Sequence, residues 1–120
     1  MDAAKTYRRL LVWQRADELA YQVYEVTRWF PDEERFGLTS QMRRASVSVP
    51  ANLVEGYAHS TNRERRRFYE IARSSLTELE YYIDFTYGRL RYVSETQFKT
   101  LSALRDEVGR LLTGLIRSVA

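Results

Sequence analysis

Apolar residues recur every three or four positions along four segments of this chain, which is the period of an amphipathic helix. In the first segment, from about Leu10 to Trp29, the residues Val12, Ala16, Leu19, Val23, Val26 and Phe30 share one stripe, and Pro31 stops it. A polar turn, "PDEERFG", follows. The second segment starts near Phe36–Leu38 and sets Leu38, Met42, Ala45, Val49, Asn52 and Gly56 on a heptad-like seam. The third opens with Thr61-x-x-Glu64, the pattern of a capping box. Its expected buried stripe is Phe68, Ile71, Ala72, Ser75, Leu79, Tyr82, Ile83 and Thr86, with Gly88 marking the end. The fourth opens with Ser94-x-x-Gln97 and places Phe98, Leu101, Leu104, Val108, Leu111, Leu112, Leu115 and Val119 on its stripe.

One stretch competes with this reading. "RRASVSVPANLVEG" alternates polar and apolar over Ser46–Val49, which is strand periodicity, and Pro50 follows at once. The alternation covers four residues, whereas the helical seam covers about twenty, so the longer pattern governs. Pro50 then lies inside helix two. It removes the bond to the Ser46 carbonyl and predicts a kink. The small residues Ala45, Ser46, Ser48 and Ala51 around it allow another backbone to come close, and Gly56 fits a helix end or bend. The three connections are short, so sequential helices are antiparallel neighbours. The expected fold class is all-α, an up-down-up-down four-helix bundle with a proline kink in helix two. It forms a single domain over residues 1–120 with its core at about 10–118.

Composition excludes several classes. Hydrophobic residues make up 44% and charged residues 29%, which describes an ordinary globular chain. No apolar run approaches the ~20 residues of a membrane helix, and "MDAAKTYRRLLVW" lacks a signal-peptide core. The chain has no cysteine, so thiol chemistry is out, and a cytoplasmic setting is expected. His59 is the lone histidine, so the Glu-x-x-His sites of metal-binding bundles cannot be built. There is no Gly-rich phosphate loop. Carboxylates such as Glu55, Glu64, Glu78 and Glu80 read as ion-pair partners rather than acid–base catalysts. A non-enzymatic protein with no cofactor and no metal is expected.

The net charge is only +3, yet 17 of the 19 cations are arginine. Arginine pairs bidentately with phosphate and carboxylate, although GC-rich codon usage also raises its frequency. "NRERRRF" crowds Arg63, Arg65, Arg66 and Arg67 into the first turns of helix three, against the helix dipole. Helical geometry turns Arg66 and Arg73 outward, Arg67 to a flank, and Arg63 between flank and outer face. It brings Arg65 toward the buried side, where it pairs within the protein. A polyanion contact is one reading of the cluster. A solvated face pairing with Glu64 and Glu70 is the plainer one. Arg43 and Arg44 have the same two readings, with Glu55 or Glu78 as acids for an internal ion pair. Off the stripes lie Trp13, Tyr21, Tyr24, Trp29, Tyr57 and Tyr69, residue types enriched at subunit interfaces and able to stack on bases.

The pieces "VWQRA", "FP..ERFGL..QMRRASVSVPAN..EG" and "RRFYEIARSSLTELEY" make the chain resemble a bacterial four-helix-bundle family. Its members were first noted as proteins encoded within 23S rRNA intervening sequences. The resemblance covers roughly residues 10–115. It departs at Ser74, where the family usually has glycine before serine, which puts a tighter helix contact there in doubt. The resemblance implies a ring-like homopentamer. It also implies kinship with the accessory variability proteins of diversity-generating retroelements, basic pentamers that bind nucleic acid and partner a reverse transcriptase. It carries no catalytic residues.

The expected function is therefore a homo-oligomeric accessory protein binding RNA or DNA. Arg43, Arg44, Arg63, Arg66, Arg67 and Arg73 would lie on phosphates, and Trp13, Tyr21, Tyr24, Trp29, Tyr57 and Tyr69 between subunits. The alternative is a scaffold whose ring docks a partner protein without touching nucleic acid.

Overall fold

The computed structural model of the protein describes residues 3–120. A short 3₁₀ helix, Ala3–Arg9, leads into four α-helices. These are α1 (Leu11–Thr27), α2 (Leu38–Ala58), α3 (Asn62–Gly88) and α4 (Glu95–Ser118). Each helix packs on its neighbours in sequence and α1 closes onto α4, while the two diagonal pairs stay apart. This is the up-down-up-down bundle. α3 has 27 residues and at 1.5 Å per residue spans about 40 Å, which sets the 43 Å long axis.

The caps form where the sequence places them. Ser94 makes the full box on α4, its hydroxyl accepting from Gln97 N–H at 3.1 Å while Gln97 Oε1 accepts from Ser94 N–H at 2.9 Å. Thr61 makes half of one. It accepts from Glu64 N–H at 3.2 Å, but the Glu64 carboxylate takes the Thr61 hydroxyl and His59 instead of the Thr61 N–H. The stripe of α1 is buried throughout, from Val12 to Phe30.

α2 runs through Pro50 as one helix, and Ser46–Val49 is helical rather than a strand. The small residues do what their size permits, because α2 and α3 form the most extensive pair in the bundle. Ser48 and Ser75 meet across it at 2.7 Å between hydroxyl oxygens. Ser74, beside it, is exposed. Two buried threonine hydroxyls are satisfied within their own helices: Thr27 donates to the Val23 carbonyl and Thr86 to the Tyr82 carbonyl.

The stripe of α3 differs from the expectation. Ile71 is exposed, and the buried line is Tyr69, Ala72, Leu76, Leu79, Ile83 and Thr86. The ring of Tyr69 turns inward because Gly56 on α2 has no side chain to oppose it; an added Cβ there would sit 2.6 Å from Tyr69 Cε1. No helix among the described residues is long and apolar enough to cross a membrane.

Candidate nucleic-acid interface

The three-residue link between α2 and α3 is tightly held. His59 Nδ1 lies 3.1 Å from Glu64 Oε2, and its ring stacks on Phe68 at 4.7 Å. Arg65 Nε donates to the His59 carbonyl at 2.7 Å, which fulfils its expected inward role. The corner thereby uses Arg65, His59 and Glu64 on one another and leaves Arg63, Arg66 and Arg67 exposed. Arg67 leans over the Phe68 ring at 5.8 Å. Arg63 and Arg66 make no hydrogen bond or ion pair among the described residues. Arg73 pairs with Glu70 one turn away. Both side chains are only partly covered, so the pair contributes little to stability.

The other two arginines do different work from the ion pairs expected of them. Arg43 does not meet Glu55 or Glu78. Its Nε donates to Thr27 Oγ1 at 2.8 Å, its Nη2 to the Tyr24 carbonyl at 3.4 Å, and its guanidinium lies 4.7 Å over the Tyr24 ring. It places a positive charge beside the carbonyls that end α1, where the helix dipole favours a cation. Arg44 is exposed and, among the described residues, bonds only the neutral Gln41 side chain. The adjacent pair therefore splits. Arg43→Gln is expected to cost about 1 kcal/mol. Arg44→Gln should stay within about 0.5 kcal/mol of the parent. Thermal melts of the two variants check this, and equal melting points would contradict it.

The six arginines do not form one patch. The Ser48–Ser75 contact fixes the antiparallel register of α2 and α3. Arg44 therefore lies level with Leu79, about 20 Å along α3 from Arg66 at 1.5 Å per residue. Arg73 falls between them. The cations form one group at the α2–α3 corner and another near the start of α2, with Arg35 joining the second group.

Of the aromatic residues expected at an interface, Tyr21, Tyr24 and Trp29 are exposed, Trp29 at 79%. Trp13 and Tyr57 are half-buried, and Trp13 packs edge-on against Tyr7 at 4.9 Å. Tyr69 is 2% exposed and belongs to the protomer core, so it is not a surface residue. Two exposed rings escaped the sequence reading: Phe36, at 88%, and Tyr81. Phe36 sits in a polar turn that has no helical stripe to be judged against. Its only signal is a large ring between Arg35 and Gly37.

Burial raises the pKa of the Tyr69 hydroxyl above the usual tyrosine range, with Arg65 opposing the shift. Burial, then a 3.0 Å hydrogen bond to Glu78, does the same at Tyr82. A tyrosine in the unfolded chain titrates near ~10. The folded groups keep their protons to higher pH. Their contribution to stability is thus complete below about pH 10 and is lost as pH rises through the folded pKa. Urea midpoints measured from pH 8 to pH 11 should fall less steeply in Tyr69→Phe than in the parent. Parallel curves would show that this hydroxyl is not shielded.

The comparisons with known proteins agree with this fold. A crystal structure from Bacteroides thetaiotaomicron, of a protein with unknown function from the S23 ribosomal protein family, superposes with a TM-score of 0.80. The two chains are 21% identical, and the match covers 88% of this chain and 98% of that one, a likeness that speaks for the fold. No curated protein matches the sequence. The family model of the 23S rRNA-intervening sequence proteins matches residues 8–114, which include all of α1, α2 and α3, both capping motifs and every arginine described above, and the chain belongs to that family.

Proposed function

We propose that this protein is a non-enzymatic, homo-oligomeric accessory protein that binds RNA or DNA through the phosphates. The observation that carries the reading is the α2–α3 corner. Arg63 and Arg66 stand exposed in the first turns of α3, unpaired among the described residues, while the nearby Glu64 is held by His59 and Thr61. A cation in that position works against the helix dipole, and an incoming phosphate relieves the conflict. Contacts of this kind position a nucleic acid without reading its sequence. Assembly as the pentamer implied by the family resemblance would raise the charge from +3 per chain to about +15 and add avidity. The protein partner we propose is a reverse transcriptase of a diversity-generating retroelement, and the compartment is the cytoplasm.

The test is a salt titration of binding to labelled RNA and DNA, run on the parent and on the Arg63→Gln, Arg66→Gln, Arg67→Gln triple variant. A log–log slope steeper than about −2 in the parent supports the reading. Weak binding with a flat salt dependence overturns it.

A second reading rests on Trp29 and Phe36, which are large, apolar and exposed. In this reading the oligomer is a scaffold that docks a partner protein. A partner that stays bound through nuclease treatment and high salt would favour the scaffold.

A further inference from the structure

Between the end of α1 and the start of α2 lies an open depression of about 390 Å³, lined by Tyr24, Arg35, Phe36, Arg43 and Arg44. Its other lining groups carry hydroxyls, and none is a carboxylate. This distinguishes it from the depression between α3 and α4, which the carboxylates Glu80 and Asp106 line together with Arg105 and Arg110. Asp32 is nearby but lines the adjoining depression, and it forms no ion pair with Arg35 or Arg43 among the described residues.

We infer that this depression is a subsite for one unpaired nucleoside monophosphate unit, the base lying on Phe36 and the phosphate among the three guanidinium groups. This inference rests on the nucleic-acid reading and makes it specific. Three observations point the same way. Arg43 is already fixed, by Thr27 Oγ1, the Tyr24 carbonyl and the Tyr24 ring, and its Nη1 has no partner among the described residues. A group held in place loses little freedom when it receives an anion. Among the described residues, Arg44 bonds only a neutral amide, and Arg35 lies 5.3 Å over Phe36 without an acid partner. Phe36 is 88% exposed, so one face of its ring is free while the guanidinium of Arg35 covers the other. An aromatic platform beside clustered cations is the arrangement that takes a single-stranded base and its phosphate, and the volume lies within the ~300–1,000 Å³ of small-molecule sites. A base paired within a duplex offers no free face to Phe36, so the subsite discriminates between strand forms.

Binding of a labelled decauridine single strand, of a duplex containing the same strand, and of AMP, adenosine and inorganic phosphate tests the assignment. The proteins are the parent, Phe36→Ala, Phe36→Tyr and Arg44→Gln; both sites are exposed, so the fold tolerates the changes. Phe36→Ala is expected to weaken the single strand about tenfold while leaving the duplex unchanged, with Phe36→Tyr restoring the parent affinity. Arg44→Gln should weaken the strand and AMP but not adenosine. If only AMP binds, with the same dependence on Phe36 and Arg44, the subsite stands, its source is the free nucleotide, and the nucleic-acid reading fails. If the strand binds the parent and the variants equally, the subsite falls and the nucleic-acid reading stands. If Phe36→Ala dissociates the oligomer, the depression is a subunit contact and the inference is overturned. If no probe binds, both are overturned.

Discussion

Gly56→Ala is expected to destabilise the protein by about 2 kcal/mol and to lower its melting temperature by roughly 8 °C, while Gly114→Ala raises it. Both glycines lie inside helices, where alanine is favoured by up to about 1 kcal/mol. The surroundings reverse the sign at one of them. A Cβ on Gly56 would lie 2.6 and 2.8 Å from Tyr69 Cε1 and Cδ1 and 3.1 Å from the Arg65 carbonyl oxygen. The ring is buried and the carbonyl is backbone, so neither moves aside cheaply. Overpacking of this kind costs typically 1–3 kcal/mol, and the upper end applies, offset by the propensity gain. A chain of this length shifts by about 4 °C per kcal/mol. At Gly114 an added Cβ meets nothing within 4 Å, so the propensity gain is kept and the melting point should rise by about 3 °C. Equal melting points for Gly56→Ala and the parent would mean that Tyr69 is not seated against α2. The corner that carries Arg63, Arg65 and Arg66 would then lose its anchor.

The helices were legible because their signals are local. The α1 stripe, both N-cap serine and threonine positions, and the continuation of α2 through Pro50 all follow from residues within one or two turns of each other. Tyr69 was misread for the opposite reason. A tyrosine at the margin of a stripe reads as an interface residue, and only the missing side chain of Gly56, on another helix, turns it inward. Arg43 shows the same limit. Its acceptors are a backbone carbonyl and a threonine hydroxyl at the end of α1, and a search for acidic partners passes over both. The spacing of the arginines is a matter of register. Ser48 and Ser75 set it, and no periodicity within one helix reveals it.

Under the proposed function, that register gives the two cationic groups separate roles. The α2–α3 corner offers exposed arginines, and the aromatic rings there, Tyr57 and Phe68, are half-buried. The start of α2 offers one fixed arginine, Arg43, with Arg35 and Arg44 beside exposed rings. The first arrangement suits phosphates of any strand, and the second suits a strand whose bases are free. About 20 Å of separation corresponds to roughly six steps along a B-form duplex. One nucleic acid can therefore span both groups of a protomer only if it is at least about that long.

Replacing Arg63, Arg66 and Arg67 together with glutamine should reduce affinity for RNA or DNA at least about tenfold near 0.1 M salt. The salt slope should become shallower by about 0.9 for each phosphate that the variant no longer neutralises. Glutamine keeps a similar side-chain reach and the helix propensity while removing the charge. Arg65 is left in place because it holds the His59 carbonyl. Stability separates this from a folding defect. Arg63 leaves the first turn of α3, where a cation is unfavourable by a few tenths of a kcal/mol, and Arg66 and Arg67 are exposed and lie one turn further in, so the variant should melt at or slightly above the parent temperature. Lower affinity combined with equal or higher stability cannot come from unfolding. The Arg35→Gln, Arg44→Gln double variant acts about 20 Å away, beyond the range at which side chains couple, so its loss of affinity should add to that of the corner variant. A triple variant that binds with the parent affinity and slope would move the phosphate contacts off α3 and leave the start of α2 as the remaining site.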